Sequence, residues 1–132
     1  MPESCLYDTR FFVEYFYSGD VEFRSKLKKD LKDVKERLVS ALVVHEIHKI
    51  SLERQGKQVA FLRSNIICRD FKVVEVDFVI ALKSAELRSK HRIPLADSVI
   101  AASAQVHRCT LVSDDPHFKK IKNVKTKWYS IL

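Results

Sequence analysis

Pro94–Ala104 reads PLADSVIAASA, and Thr110-Leu111-Val112 follows a few residues later. The first stretch predicts a helix over Leu95–Arg108 that is rich in small residues: Ala96, Ala101, Ala102, Ser103 and Ala104. Small side chains let a helix lie close against a sheet. The second stretch is short, apolar and β-branched, which predicts a buried strand. A helix that delivers the chain to such a strand is one unit of a parallel α/β sheet.

The same alternation recurs on both sides. Cys5–Tyr7 predicts a strand that leads through Asp8-Thr9 into a helix over Arg10–Ser18, with Asp8 or Thr9 as its cap. Leu27, Leu31, Val34 and Leu38 recur at helical spacing, which predicts an amphipathic helix over Val21–Arg37 with Lys and Arg on its other positions. Leu38–Ser40 predicts a second strand and Leu42–Gln55 a helix; Val59, Leu62 and Ile66 mark another helix after Gly56. Phe71–Val76 predicts a third strand and Asp77–His91 a helix. Asp115-Pro116 starts a brief helical turn, and Lys127–Ile131 predicts a fifth strand. The expectation is one α/β domain over residues 1–132, a parallel five-stranded sheet flanked by helices.

The chain has 132 residues, 46% hydrophobic and 31% charged, which describes a folded domain with a sizeable core rather than a disordered one. Its formal net charge is +7, so an anionic partner is expected, nucleic acid first. Cys5, Cys68 and Cys109 are too scattered for a zinc site or a disulfide framework. They read as small core residues of a reducing cytoplasm, and a Cys5–Cys109 bridge is open only if their strands are adjacent. Glu3 and Asp8 interrupt any apolar start, so no secretory leader is expected. No stretch reaches the ~18 apolar residues that span a bilayer. A cytoplasmic protein without a membrane partner is the expectation.

Four acids sit at the borders of the apolar segments: Asp8, Glu46, Asp97 and Asp115. A parallel sheet gathers its ligand sites at the carboxyl ends of its strands, and each acid falls at a strand end or in the early turns of a helix. Glu46 is the most telling, because it interrupts the apolar run Ala41–Val44 and Ile47 on a helix that faces the core. Each acid also has an ordinary structural reading. Asp8 caps a helix, Glu46 pairs with a nearby Lys or His, Asp97 complements a helix dipole, and Asp114 or Asp115 serves the turn before Pro116. Carboxylates gathered in one crevice need a shared positive partner. An all-oxygen set suits Mg²⁺ or Mn²⁺ rather than Zn²⁺. His45 and His48 flank Glu46 but are three apart, not the four of the zinc-protease helix, and His117 has no matching partner. No glycine-rich phosphate loop is present, which argues against ATP-dependent chemistry.

The segments YDTRFF (Tyr7–Phe12), SALVVHEI (Ser40–Ile47), PLADSVIAASA (Pro94–Ala104) and LVSDDPHF (Leu111–Phe118) resemble, in order and spacing, the four motifs of PIN-domain ribonucleases. The closest subgroup is the small VapC-type toxins and their archaeal relatives. The resemblance covers nearly the whole chain. It implies strand order 3-2-1-4-5 and metal-dependent endonucleolytic cleavage of RNA. Its acidic positions carry over as Asp8, Glu46, Asp97 and Asp115. Thr9 matches the hydroxyl residue after the first acid, and Ser113 the Ser/Thr two residues before the last.

Two positions depart from the family pattern. Arg10 stands where a small polar residue is usual, poised to bind a substrate phosphate or tie down a carboxylate. Asp114 stands where Asn is common and adds a fifth acid, a further candidate metal ligand. The basic surface from Arg24 to Arg37, with Lys28, Lys29 and Lys32 together with Arg10, is the expected guide for RNA; a solvated helix face is its structural alternative. The resemblance also implies an antitoxin partner and a homodimer. For the dimer, the aromatic run Phe11, Phe12, Tyr15, Phe16 and Tyr17 cannot all face one sheet, unless the neighbouring helix folds over it. An RNA-processing or RNA-binding module of the same fold, with little catalysis, is the alternative.

Overall fold

Cys5–Tyr7 (β1) is fully buried and forms the centre of a five-stranded parallel sheet in the computed structural model, which describes residues 3–129. Its unbroken apolar run is what a strand covered on both faces requires. β1 is flanked by Arg37–Ser40 (β2) and Thr110–Val112 (β4), with Cys5 opposite both Arg37 and Thr110. Lys72–Val74 (β3) pairs with β2 at one edge and Thr126–Lys127 (β5) with β4 at the other, so the order is β3-β2-β1-β4-β5. This is the predicted fold class and strand order.

Thr9–Tyr17 (α1) and Val21–Leu31 (α2) connect β1 to β2; Ala41–Gln55 (α3) and Lys57–Asp70 (α4) connect β2 to β3. Phe78–His91 (α5) and Leu95–His107 (α6) carry the chain back across the sheet to β4. The connections from β1 step one way and those after β3 step the other, so right-handed crossovers put α1–α4 and α5–α6 on opposite faces. The order in which strands are added reverses between β1 and β4, and open α/β sheets form their crevice at that switch point. α6 is buried along Ser98–Ala104, the small-residue stretch, which lets it settle against the sheet.

Several boundaries differ from the sequence reading. α2 stops at Leu31 rather than Arg37, and the amides of Lys32 and Asp33 turn back onto Lys29 and Asp30. Leu38 belongs to the helical stripe by spacing but is buried through its strand pairing with Leu6. The ladder satisfies backbone groups that a longer helix would leave without a sheet partner. β3 is shorter than Phe71–Val76 because Asp77 caps α5, accepting from the Ile80 amide at 2.9 Å. β5 is confined to Thr126–Lys127, not Lys127–Ile131, and residues 130–132 lie outside the described residues.

Cys5 and Cys109 are buried on adjacent strands with both thiols free, and Cys68 is exposed on α4 rather than in the core. Burial pushes the Cys109 thiol up to about 11, so it behaves as an inert apolar side chain. The aromatic run of α1 is covered in part within one chain, with Tyr15, Phe16 and Tyr17 left half-buried. Phe11 and Phe12 are fully buried against Tyr7 and Phe71, the Lys28 ammonium lies 5.9 Å from the Tyr15 ring, and the Arg63 guanidinium lies over Phe16 and Tyr17. Exposed large apolar side chains include Phe61 and Leu62 on α4 and a group around α5 and α6: Val76, Phe78, Val79, Leu82 and Leu95. No helix among the described residues is long and apolar enough to cross a membrane.

Candidate functional site

Asp8 leaves the end of β1 and caps α1, and its side chain is buried at the switch-point crevice. One carboxylate oxygen accepts from the Thr9 amide at 2.8 Å, the other from the Ser113 hydroxyl at 2.6 Å. Burial pushes this carboxyl up to about 6; the two hydrogen bonds oppose that shift, and the charges of Asp97 and Glu46 add to it. Ser113 follows β4, and its Oγ also accepts the Asp115 amide at 3.1 Å. One hydroxyl thus ties the ends of β1 and β4 together.

Glu46 projects from α3, whose other face buries Val43, Ile47 and Ser51. The Thr9 hydroxyl donates to its Oε1 at 2.7 Å, so α1 holds the α3 carboxylate in place. Asp97 lies in the first turn of α6, and burial raises its carboxyl above the usual range, with His117 opposing and Asp115 reinforcing the shift. Asp115 caps the short turn Pro116–Lys120, accepting the His117 amide at 2.9 Å. The four acids therefore come to one crevice, from the ends of β1 and β4 and the early turns of α3 and α6.

His117 does have partners. Its Nδ1 lies 2.7 Å from Asp97 Oδ2 and 3.2 Å from Asp115 Oδ1, and atoms of these three residues lie within 4.8 Å of one another. The signal in the sequence was its place two residues after Asp115, but the partner across the crevice, Asp97, came from a different helix. The donor chemistry and spacing fit a divalent cation: carboxylate oxygens and one imidazole nitrogen converge where burial and mutual repulsion already disfavour negative charge.

Arg10 and Asp114, the two departures, are partners of each other. The guanidinium forks onto the carboxylate through Nε and, at 3.1 Å, Nη2. The charges of Asp115 and Asp8 also act on this guanidinium, so the pair stands at the edge of the converged acids. On the other flank, a cleft of roughly 350 Å³ runs along α3 past Leu42, His45, Glu46, Lys49 and Ile50 to Ala96, the residue before Asp97. Lys49, which sequence reasoning missed, lines this cleft with its ammonium paired to Glu53 at 2.9 Å. His48 points elsewhere, with Nδ1 2.6 Å from the Ser64 hydroxyl on α4.

Lys28 and Lys29 occupy the last turn of α2 and Lys32 its cap. The chain leaving them reaches the amino edge of the sheet, where the Lys35 amide bonds Glu3 O at 2.9 Å. The acids lie at the carboxyl edge. The basic helix and the acidic crevice therefore stand at opposite ends of the strands.

This crevice and strand order define a particular class of α/β domain. A family model for the PIN domain matches residues 5–124, and the chain belongs to the PIN-domain family. No curated protein matches it. Its fold is similar to that of a chain in VapBC2 from Rickettsia felis bound to a promoter DNA fragment, at 18% identity and TM-score 0.80 over 96% of this chain and 98% of that one. A toxin–antitoxin complex from Klebsiella pneumoniae is similar at 25% identity and TM-score 0.73, over 92% and 95%. VapC20 of Mycobacterium tuberculosis, a sarcin-ricin loop cleaving toxin, is similar at 18% identity and TM-score 0.72, over 89% and 94%. The VapC-type subgroup expected from the motifs is the one whose folds recur among these structures.

Proposed function

We propose that this protein is a metal-dependent endoribonuclease that hydrolyses RNA phosphodiester bonds, and the toxin of a VapBC-type toxin–antitoxin pair. The observation that carries the proposal is the meeting of Asp8, Glu46, Asp97 and Asp115 in one crevice, with Thr9 and Ser113 orienting two of them. Asp97 and Asp115 would hold Mg²⁺ or Mn²⁺, with Asp8 behind them. A bound ion of this kind supplies an activated water and neutralises charge on the phosphate.

The chain's own residues do the rest. Asp8 is fixed through both oxygens, so its negative charge is delivered at a set position. Glu46, held by Thr9, stands at the mouth of the α3 cleft to orient a water. Lys49 on one flank and Arg10 on the other offer cations to the phosphates on either side of the scissile one. The carboxylates alone would repel the backbone, so these cations set the strand's path.

An antitoxin partner goes with this reading, supported by the toxin–antitoxin complexes among the similar structures, and a cytoplasmic location goes with it as well. A homodimer is part of it as well, with the second copy laid on the apolar groove between α5 and α6 rather than on the aromatic run of α1.

The test is cleavage of single-stranded and looped RNA in Mg²⁺, Mn²⁺ or EDTA, with wild type beside Asp97→Asn. Cleavage is expected only with metal and wild type. Full activity in EDTA or in the variant overturns the mechanism. Metal-independent RNA binding without cleavage favours the RNA-binding module instead.

A further inference from the structure

The His117 ring lies against two carboxylates of the crevice, those of Asp97 and Asp115. We infer that His117 is a nitrogen ligand of the metal held by Asp97 and Asp115, and that this chain's site is thereby matched to a divalent transition ion such as Mn²⁺ in preference to Mg²⁺. The inference rests on the reading of the crevice as a metal site.

The turn Pro116–Lys120 aims the ring. Pro116 opens it, Asp115 caps it, and the His117 amide is held by Asp115 Oδ1 at 2.9 Å. The backbone and the ring of one residue are thus both fixed on the acid that precedes it. Nδ1 then lies 2.7 Å from Asp97 Oδ2, on a different element, and 3.2 Å from Asp115 Oδ1. A nitrogen between two carboxylate oxygens from separate elements completes a three-donor face. Lys49 and Arg10 cannot take this place, because an ammonium or guanidinium has no lone pair to give a metal.

The donor type decides the ion. Mg²⁺ takes oxygen ligands and keeps several waters, whereas imidazole favours first-row transition ions along the Irving–Williams series. A mixed nitrogen–oxygen face therefore strengthens Mn²⁺ binding more than Mg²⁺ binding.

The experiment is titration calorimetry of the purified chain with MnCl₂ and MgCl₂, together with electron spin-echo spectroscopy of the Mn²⁺-loaded protein. Wild type, His117→Asn and the control His107→Asn, at the far end of α6, are compared, with thermal melts to establish folding. Wild type is expected to show nitrogen modulation from a bound imidazole. His107→Asn keeps it; His117→Asn loses it and weakens Mn²⁺ binding by about tenfold or more, with a smaller loss for Mg²⁺. Mn²⁺ bound without nitrogen modulation in wild type overturns the inference alone, as does an equal loss for both ions in His117→Asn. No binding of either ion overturns the metal site and this inference together. Nitrogen-ligated Mn²⁺ without RNA cleavage overturns only the nuclease reading. The wild-type spectrum decides the point even where the His117 variant fails to fold.

Discussion

The Ser113 hydroxyl donates to Asp8 Oδ2 at 2.6 Å, joining residues 105 apart in sequence across the switch point of the sheet. Ser113 Oγ in turn accepts the Asp115 amide at 3.1 Å, so a single atom registers the carboxyl end of β1 against that of β4. The position of the buried acid and the direction of the chain into Asp115 are set together.

Replacing Ser113 with Ala removes both bonds and leaves a buried carboxylate oxygen short of a donor. A stability loss of about 1–3 kcal/mol is expected, measured by urea unfolding. RNA cleavage should fall further than the stability loss accounts for at a temperature where the variant is folded. Wild-type stability in the variant removes the bridge from the account of the site.

Asp8 has a folded-state pKa of about 6 against an ordinary value of 3.8, so between these values the folded chain holds a proton that the unfolded chain has released. Stability of the metal-free protein therefore falls as pH rises from about 4 to about 6, and the ionised carboxylate costs roughly 3 kcal/mol at neutral pH. Asp8→Asn should flatten this slope and stabilise the metal-free protein at pH 7. Chemical unfolding at a series of pH values reads it. A slope unchanged in the variant would assign the effect to another group.

Lys49→Ala is expected to weaken RNA binding and reduce its salt dependence by about one counterion, because Lys49 lines the cleft beside Glu46. Neutralising Lys28, Lys29 and Lys32 together should change the slope less, since that end of α2 lies toward the amino edge of the sheet. Filter binding across a salt series compares the two. A larger effect from the triple variant would return the RNA path to the basic helix.

Arg10→Ala should cost less than about 1 kcal/mol of stability, because its pair with Asp114 is solvent-exposed. KM for RNA should rise with kcat little changed if the guanidinium serves a substrate phosphate. A fall in kcat alone would place its role in holding Asp114.

Phe78 and Leu95 are 77% and 59% exposed beside an apolar groove on α5 and α6. Light scattering across a dilution series should give a dimer for wild type and a monomer for Phe78→Glu with Leu95→Glu, since a charge in a dry interface is costly. A monomeric wild type at tens of micromolar rules the dimer out.

Element type and order were legible because they depend on local patterns. PLADSVIAASA and Thr110-Leu111-Val112 carry their own helix and strand signals, and each of the four acids borders an apolar segment wherever that segment packs. Spacing alone could not end α2 at Leu31, because Val34 continues the helical stripe up to the strand that begins at Arg37. Nor could it cover the α1 aromatics, which meet Phe71 and Arg63 from distant segments. The pairing of Arg10 with Asp114 and the turn of His117 toward Asp97 are of the same kind. Periodicity reports which face of an element is apolar, a property of a dozen neighbouring residues. Which charged groups meet, and which of them lose their water, depends on elements brought together only when the sheet assembles, and that is where the burial that shifts Asp8 arises.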